Sequence, residues 1–223
     1  MFHPFRYKSA SENTVSRGVL KYKSVSETVT TRTLDESCAG SLLSPAAVYG
    51  YSLAMSPTEL LALQRAHVRR GALRDVAVRR RYLEHLRSVV KSGESRIRDA
   101  LAADLGKPDL EVVTSETGMV MQEIRTQLKH AAQWTQARRR PPSALLFPGR
   151  SRILREPWGS VLVMGPWNYP VQLALLPAVG ALAAGNSAIV KPSEITANTA
   201  SVLEDLINTS FAPEVLHVLT GGP

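Results

Sequence analysis

Lys191 is the only lysine or arginine between Glu156 and Pro223, a stretch that carries five carboxylates. It closes the run Ser187-Ala-Ile-Val-Lys191 and stands three residues before Glu194. An ammonium and a carboxylate at the carboxyl end of a strand can serve a nucleotide. The cation attracts phosphate or donates to a ribose oxygen, and the carboxylate accepts from ribose hydroxyls. Most lysines are solvated surface residues; isolation and position set this one apart. The second candidate is Asn168. The apolar run Val161-Leu-Val-Met164 is stopped by Gly165-Pro166, which presents Trp167 and Asn168 in a turn. Pro170 follows where a first helical turn tolerates proline. By residue type alone, an asparagine there is a turn-former.

The elements that must position these residues repeat one plan. A strand at 161–164 leads through the turn to a helix, and a strand at 187–191 leads through Pro192-Ser193-Glu194 to a helix from about Thr196 to Asn208. A third strand, 215–219, runs into Thr220-Gly221-Gly222-Pro223. The order β-α-β-α-β predicts an α/β protein holding half of a doubly wound parallel, Rossmann-like sheet, with ligands in the crevice beyond the strand ends. Residues 171–190 are mostly apolar, but Pro177 interrupts them and Gly185-Asn186 is a helix stop, so two buried elements are expected rather than a membrane span.

Four helices are expected ahead of the sheet. Ser56-Pro57-Thr58-Glu59 spells a capping box for the first, to about Arg70. A second, from about Arg74 to Ser92, carries Tyr82, Leu86 and Val89 or Val90 on one stripe, and a third sets Ile97, Leu101 and Leu105 four apart before Gly106. The fourth lines up Val113, Val120, Ile124, Leu128 and Ala131 between Glu111 and Arg140, with Arg138-Arg139-Arg140 as cations on its negative end and Pro141-Pro142 as its stop. Apolar runs on either side of Pro148-Gly149-Arg150-Ser151 suggest an extended hairpin between Leu145 and Val163.

The stretches Gly-Pro-Trp-Asn-Tyr-Pro (165–170), Ala-Ala-Gly-Asn-Ser-Ala-Ile-Val-Lys-Pro-Ser-Glu (183–194) and the closing Gly-Gly-Pro resemble the aldehyde dehydrogenase superfamily, in spelling most like its class 3 branch. The resemblance covers about Pro57 to Pro223. It implies that residues 57–223 are the N-terminal part of an NAD(P)-binding domain, and that the matching Asn168 points its amide nitrogen at the carbonyl oxygen of a bound aldehyde. It implies further that Met164, Gly165, Pro166 and Trp167 line the cofactor channel. Lys191, Ser193 and Glu194 would hold the adenosine ribose, and Gly222 would let the backbone approach the cofactor, where a Cβ would intrude. NAD is the expected cofactor, with NADP also usable. The hairpin region would belong to a small oligomerisation sheet, giving a homodimer. The family's nucleophilic cysteine and general-base glutamate are not among these residues, so an N-terminal fragment is expected, inactive alone. A non-catalytic nucleotide-binding or dimerising module, or part of an acyl-CoA-type reductase of the same fold, remains as an alternative.

Composition narrows the rest. Residues 57–155 hold 20 lysines and arginines against 10 carboxylates. These arginines follow helical patterns without interleaved aromatics, which fits no module that reads nucleic acid. The single cysteine, Cys38, permits no intramolecular disulfide and suits a cytoplasmic protein. The five histidines are scattered without ligand spacing, so no metal is expected. Residues 1–56 are rich in Ser and Thr and read as a disordered tail. They are faintly like an organellar transit peptide, but four carboxylates weaken that reading.

Overall fold

The computed structural model describes residues 55–142, 145 and 148–222. Of the tail expected over residues 1–56, residues 1–54, Cys38 among them, lie outside the described residues. Helix α1 (Pro57–Arg69) starts as its sequence requires: the Ser56 hydroxyl accepts the Glu59 amide and the Glu59 carboxylate accepts the Ser56 amide. Helices α2 (Val76–Ser92) and α3 (Glu94–Leu105) follow, and Gly106 ends α3 in the left-handed region at φ 64°.

The fourth helix departs from expectation. It comprises a short α4 (Asp109–Glu111), a π-helical turn (Val112–Thr117) and α5 (Gly118–Trp134). The wider π turn absorbs an extra residue and shifts the buried face, so that Val112 is fully buried while Val113, expected in the stripe, is 42 % exposed. Gly118 is what permits the turn, because a Cβ there would lie 2.0 Å from the Val113 carbonyl oxygen. The three arginines are not a helix end. Arg138–Arg140 forms strand β1, antiparallel to β2 (Ser151–Ile153), with Arg139 opposite Arg152. The hairpin expected between 145 and 163 therefore takes its first strand from residues assigned to the helix. Helical spacing of the preceding apolar residues carries no information about where the chain leaves the helix, and Thr135 is already its C-cap.

Strands β3 (Ser160–Met164), β4 (Ser187–Lys191) and β5 (Leu216–Val218) form a parallel sheet in that order. Helix α6 (Pro170–Ala183) connects the first two and α7 (Ala197–Asn208) the last two. Among the described residues no helix is long and apolar enough to cross a membrane. The apolar stretch 171–190 instead divides into α6, with Pro177 inside it, and β4, buried on both faces. Val171, Ala174, Leu175, Ala178 and Leu182 of α6 share one core with Leu83, Leu86 and Val90 of α2, Val120 and Ile124 of α5, and Ala188, Val190 and Leu216 of the sheet. Each fully buried leucine contributes roughly 1.5–3 kcal/mol relative to exposure.

Polar side chains fasten the amino ends of the strands. The Gln64 amide, fully buried on α1, donates to the carbonyls of Ala188 and Pro213 and accepts the Ser160 hydroxyl, joining the starts of all three strands. Asn186 accepts the Gly159 amide at the same end. The opposite, carboxyl end carries the turns.

Candidate active site

Register decides the geometry here. Met164 of β3 pairs with Lys191 of β4, and the Gly165 amide donates to the Lys191 carbonyl at 2.9 Å. The turns 165–169 and 192–196 therefore leave the sheet side by side. The Leu219 amide donates to the Val190 carbonyl at 2.9 Å, bringing Thr220-Gly221-Gly222 to the same end. The Gly-Pro-Trp-Asn and Lys-Pro-Ser-Glu stretches and the glycine pair, scattered in sequence, share one edge.

Each residue has a local cause. Gly165 is buried against α6, where a Cβ would meet that of Ala174 at 3.0 Å, so glycine lets the turn lie on the helix. Met164 (71 % exposed), Trp167 (51 % exposed) and Pro166 project outward. Asn168 is exposed as well; its backbone carbonyl accepts the Lys107 ammonium at 2.9 Å, while its carboxamide makes no hydrogen bond among the described residues. The Lys191 ammonium donates to the Pro192 carbonyl at 3.1 Å and to Glu194 Oε2 at 2.7 Å. The hydrogen bond from Lys191 holds the Glu194 carboxyl below the usual carboxylate range. Ser193 is buried and its hydroxyl accepts the Ile195 amide at 3.3 Å, which shapes the turn. Gly222 is exposed, with no atom within 4 Å of an added Cβ; Gly221, at φ 148°, is the glycine the backbone itself requires.

Sequence reasoning missed three residues that build this edge. Neither α6 nor α7 has a side-chain cap of its own. Both borrow a carboxylate from the helical layer in front of the sheet. Glu116 Oε2 accepts the Val171 and Gln172 amides at 3.1 and 2.8 Å, and Asp104 accepts the Asn198 and Thr199 amides at 3.2 and 2.7 Å. These four amides are thus already satisfied within the protein, and the cations at the two turns are Lys191 and Lys107, the latter paired with Glu116. Glu116 is fully buried, and its Oε1 binds Lys107 at 2.6 Å. The Lys107 ammonium also sits 4.0 Å above the Tyr169 ring. The signal for Glu116 was present: it occupies the core stripe Val112, Glu116, Val120, Ile124, four residues apart, where a carboxylate needs a partner.

Burial pushes the Asp104 carboxyl up, but hydrogen bonds from Thr199 and Asn198 together outweigh it and hold it below the ordinary value. A depressed folded-state pKa adds stability that is present above the unfolded pKa and lost as pH falls through the folded one. Asp104→Asn should therefore lower stability by about 1 kcal/mol at neutral pH, the size of a helix cap. The gap to the unmodified chain should narrow below about pH 4. Urea unfolding at neutral and at acid pH measures this; a gap that stays constant would show that the charge of Asp104 is not what holds α7.

The aldehyde dehydrogenase family model matches residues 61–223. The chain belongs to the aldehyde dehydrogenase family. It is similar to 4,4'-diaponeurosporen-aldehyde dehydrogenase of Staphylococcus aureus, at 42 % identity over 149 residues, 67 % of this chain and 32 % of the relative. It is also similar to aldehyde dehydrogenase family 3 member A2 of Mus musculus, 37 % identical over 74 % of this chain and 34 % of that protein. The solved substrate-bound Staphylococcus aureus AldH shares the fold at TM-score 0.73 and 37 % identity, over 76 % of this chain and 37 % of that one. The Pseudomonas syringae AldA indole-3-acetaldehyde dehydrogenase, solved with NAD+, is 22 % identical at TM-score 0.63, covering 74 % of this chain and 33 % of that one, and shares the fold alone. The chain spans about a third of the length of the curated relatives it matches. The expected α/β architecture, helices followed by a parallel sheet, is the one these aldehyde dehydrogenases share.

Proposed function

We propose that residues 57–223 form the adenosine half of the cofactor site, and one donor of the oxyanion site, of an NAD(P)-dependent aldehyde dehydrogenase that oxidises aldehydes to carboxylic acids. The observation that carries this reading is the pairing of Met164 with Lys191, which sets the Asn168 turn beside the Lys191–Glu194 turn at the carboxyl edge of the sheet. Family membership supports it, since these enzymes use nicotinamide dinucleotides in general.

The residues fit the group. A ribose diol offers donors and acceptors on adjacent carbons, and Lys191 Nζ and Glu194 Oε2, 2.7 Å apart, are a donor and an acceptor that can exchange each other for it. Ser193 shapes the turn that presents both, and the open backbone at Gly222 leaves room for a close approach. Met164, Pro166 and Trp167, exposed on either side of the buried Gly165, offer apolar surface at this edge. A nicotinamide dinucleotide held at this edge would supply the hydride acceptor. Asn168 donates its amide to the aldehyde oxygen. An uncharged donor suits that atom, because negative charge develops on it only as a nucleophile adds to the carbonyl carbon.

NAD is the preferred cofactor in this reading, with NADP usable. A homodimer is supported by the two-stranded β1–β2 ribbon, and a cytoplasmic setting by the single cysteine. Titration of the 223-residue chain with NAD+ and separately with AMP, followed by amide NMR, tests the site. Both should shift Lys191, Glu194 and Gly222 alike, because the adenosine half is common to the two. Shifts confined to other surfaces, or none at millimolar ligand, would refute the assignment.

A further inference from the structure

We infer that Lys107 and Glu116 are positioning residues for the Asn168 turn, an inference that rests on the reading of Asn168 as the oxyanion donor. The two come from separate elements, Lys107 just beyond Gly106 at the end of α3 and Glu116 from the π turn, yet together they hold four of the five residues from Asn168 to Gln172. Lys107 Nζ binds the Asn168 carbonyl at 2.9 Å and lies 4.0 Å over the Tyr169 ring. Its remaining reach goes to Glu116 Oε1 at 2.6 Å and to Glu111 at 3.6 Å. Glu116 Oε2 then accepts the Val171 and Gln172 amides at 3.1 and 2.8 Å. One buried ion pair thus fixes the carbonyl before the helix, the ring at its N-cap and the first free amides inside it.

This grip governs direction rather than contact. The Asn168 carboxamide has no protein partner among the described residues, so its aim is set by the backbone that carries it. Tyr169, the N-cap of α6, has φ −132° and ψ 68°, and its side chain makes no capping hydrogen bond. The orientation of residue 168 therefore depends on the two groups that hold its carbonyl and the helix start. Neither Lys107 nor Glu116 touches the reacting atoms.

A double-mutant cycle in the complete enzyme that carries this segment separates positioning from general stabilisation. Lys107→Met should lower kcat by roughly tenfold, with the KM for NAD little changed, because small misplacements of a donor cost rate rather than cofactor binding. In the Asn168→Ala background the same change should cost less than about twofold, since there is no donor left to aim. The charge-neutral double variant Lys107→Met, Glu116→Gln serves as a second probe if the single change does not fold, and should show the same dependence on Asn168. An equal loss in both backgrounds would overturn the inference. If Asn168→Ala alone leaves kcat intact, the oxyanion reading itself fails, and the inference with it.

Hydrogen exchange on the 223-residue chain gives a reading independent of turnover. Glu116→Ala, which removes the acceptor, should expose the Val171 and Gln172 amides while those of Ile189 and Val190 in β4 keep their protection. Protection lost throughout would show that the pair holds the whole domain and not the turn.

Discussion

Asn168→Ala in the complete enzyme is expected to lower kcat by about 10²–10³-fold, the size seen when one oxyanion donor is removed. NAD affinity should change little, because the residues proposed to hold the adenosine ribose stand on the neighbouring turn, after β4. The structure sharpens the contrast with the bland reading. A turn-forming asparagine works through its side chain, bonding to its own backbone. Here the carboxamide is exposed and makes no such bond among the described residues; the turn is held by Lys107 on the carbonyl and by Glu116 on the helix start. Truncation to alanine should therefore cost no more than about 0.5 kcal/mol of stability, as for surface substitutions elsewhere. Steady-state kinetics beside a thermal melt decide the matter. A fallen Tm with kcat intact would make Asn168 a turn-former after all.

Much of this edge was legible because strand ends announce themselves. Gly165-Pro166 and Lys191-Pro192 each stop a β-branched or apolar run, and once the strands are parallel neighbours their ends must be adjacent. Gly106, at φ 64°, marked its helix end for a local reason, a backbone that must turn, whereas Gly93 is needed for a tertiary one, since a Cβ there would meet Leu206 at 2.5 Å. The failures are equally physical. Arg138-Arg139-Arg140 has no periodicity of its own, and its strand state depends on pairing with Ser151–Ile153, across a gap that no local pattern reports. The π turn was invisible because apolar spacing was read at a fixed period, and an inserted residue breaks the period without leaving a breaker residue, unless Gly118 is recognised as one. Lys107 escaped because it is ordinary where it stands, while the place of Glu116 in a core stripe calls for a partner without naming it. Only the tertiary arrangement sets a helix-end lysine against a core-stripe carboxylate and turns both toward the next helix.

Glu194→Gln should raise the NADP to NAD ratio of kcat/KM by roughly tenfold, about 1.4 kcal/mol of discrimination. The adenosine 2′-position is a hydroxyl in NAD and a phosphate in NADP. A carboxylate accepts the hydroxyl's hydrogen bond and repels the phosphate. The Lys191 ammonium favours the phosphate, but in the structure it is already paired with Glu194 at 2.7 Å, so much of its charge is answered before any cofactor arrives. That hydrogen bond also keeps the Glu194 carboxyl below its usual range. Gln keeps an acceptor for the hydroxyl, so NAD is still held, while it removes the negative charge and frees Lys191, two effects that both raise the ratio. Both side chains are partly in water, which is why the expected shift is one power of ten and not several. Lys191→Ala should weaken both cofactors, NADP more, since it removes the attraction and leaves Glu194 uncompensated. Measuring kcat/KM for each cofactor across the three proteins tests the pair. An unchanged ratio in the Glu194 variant would place this carboxylate away from the 2′-position, and the adenosine would then have to bind in another register along the sheet edge.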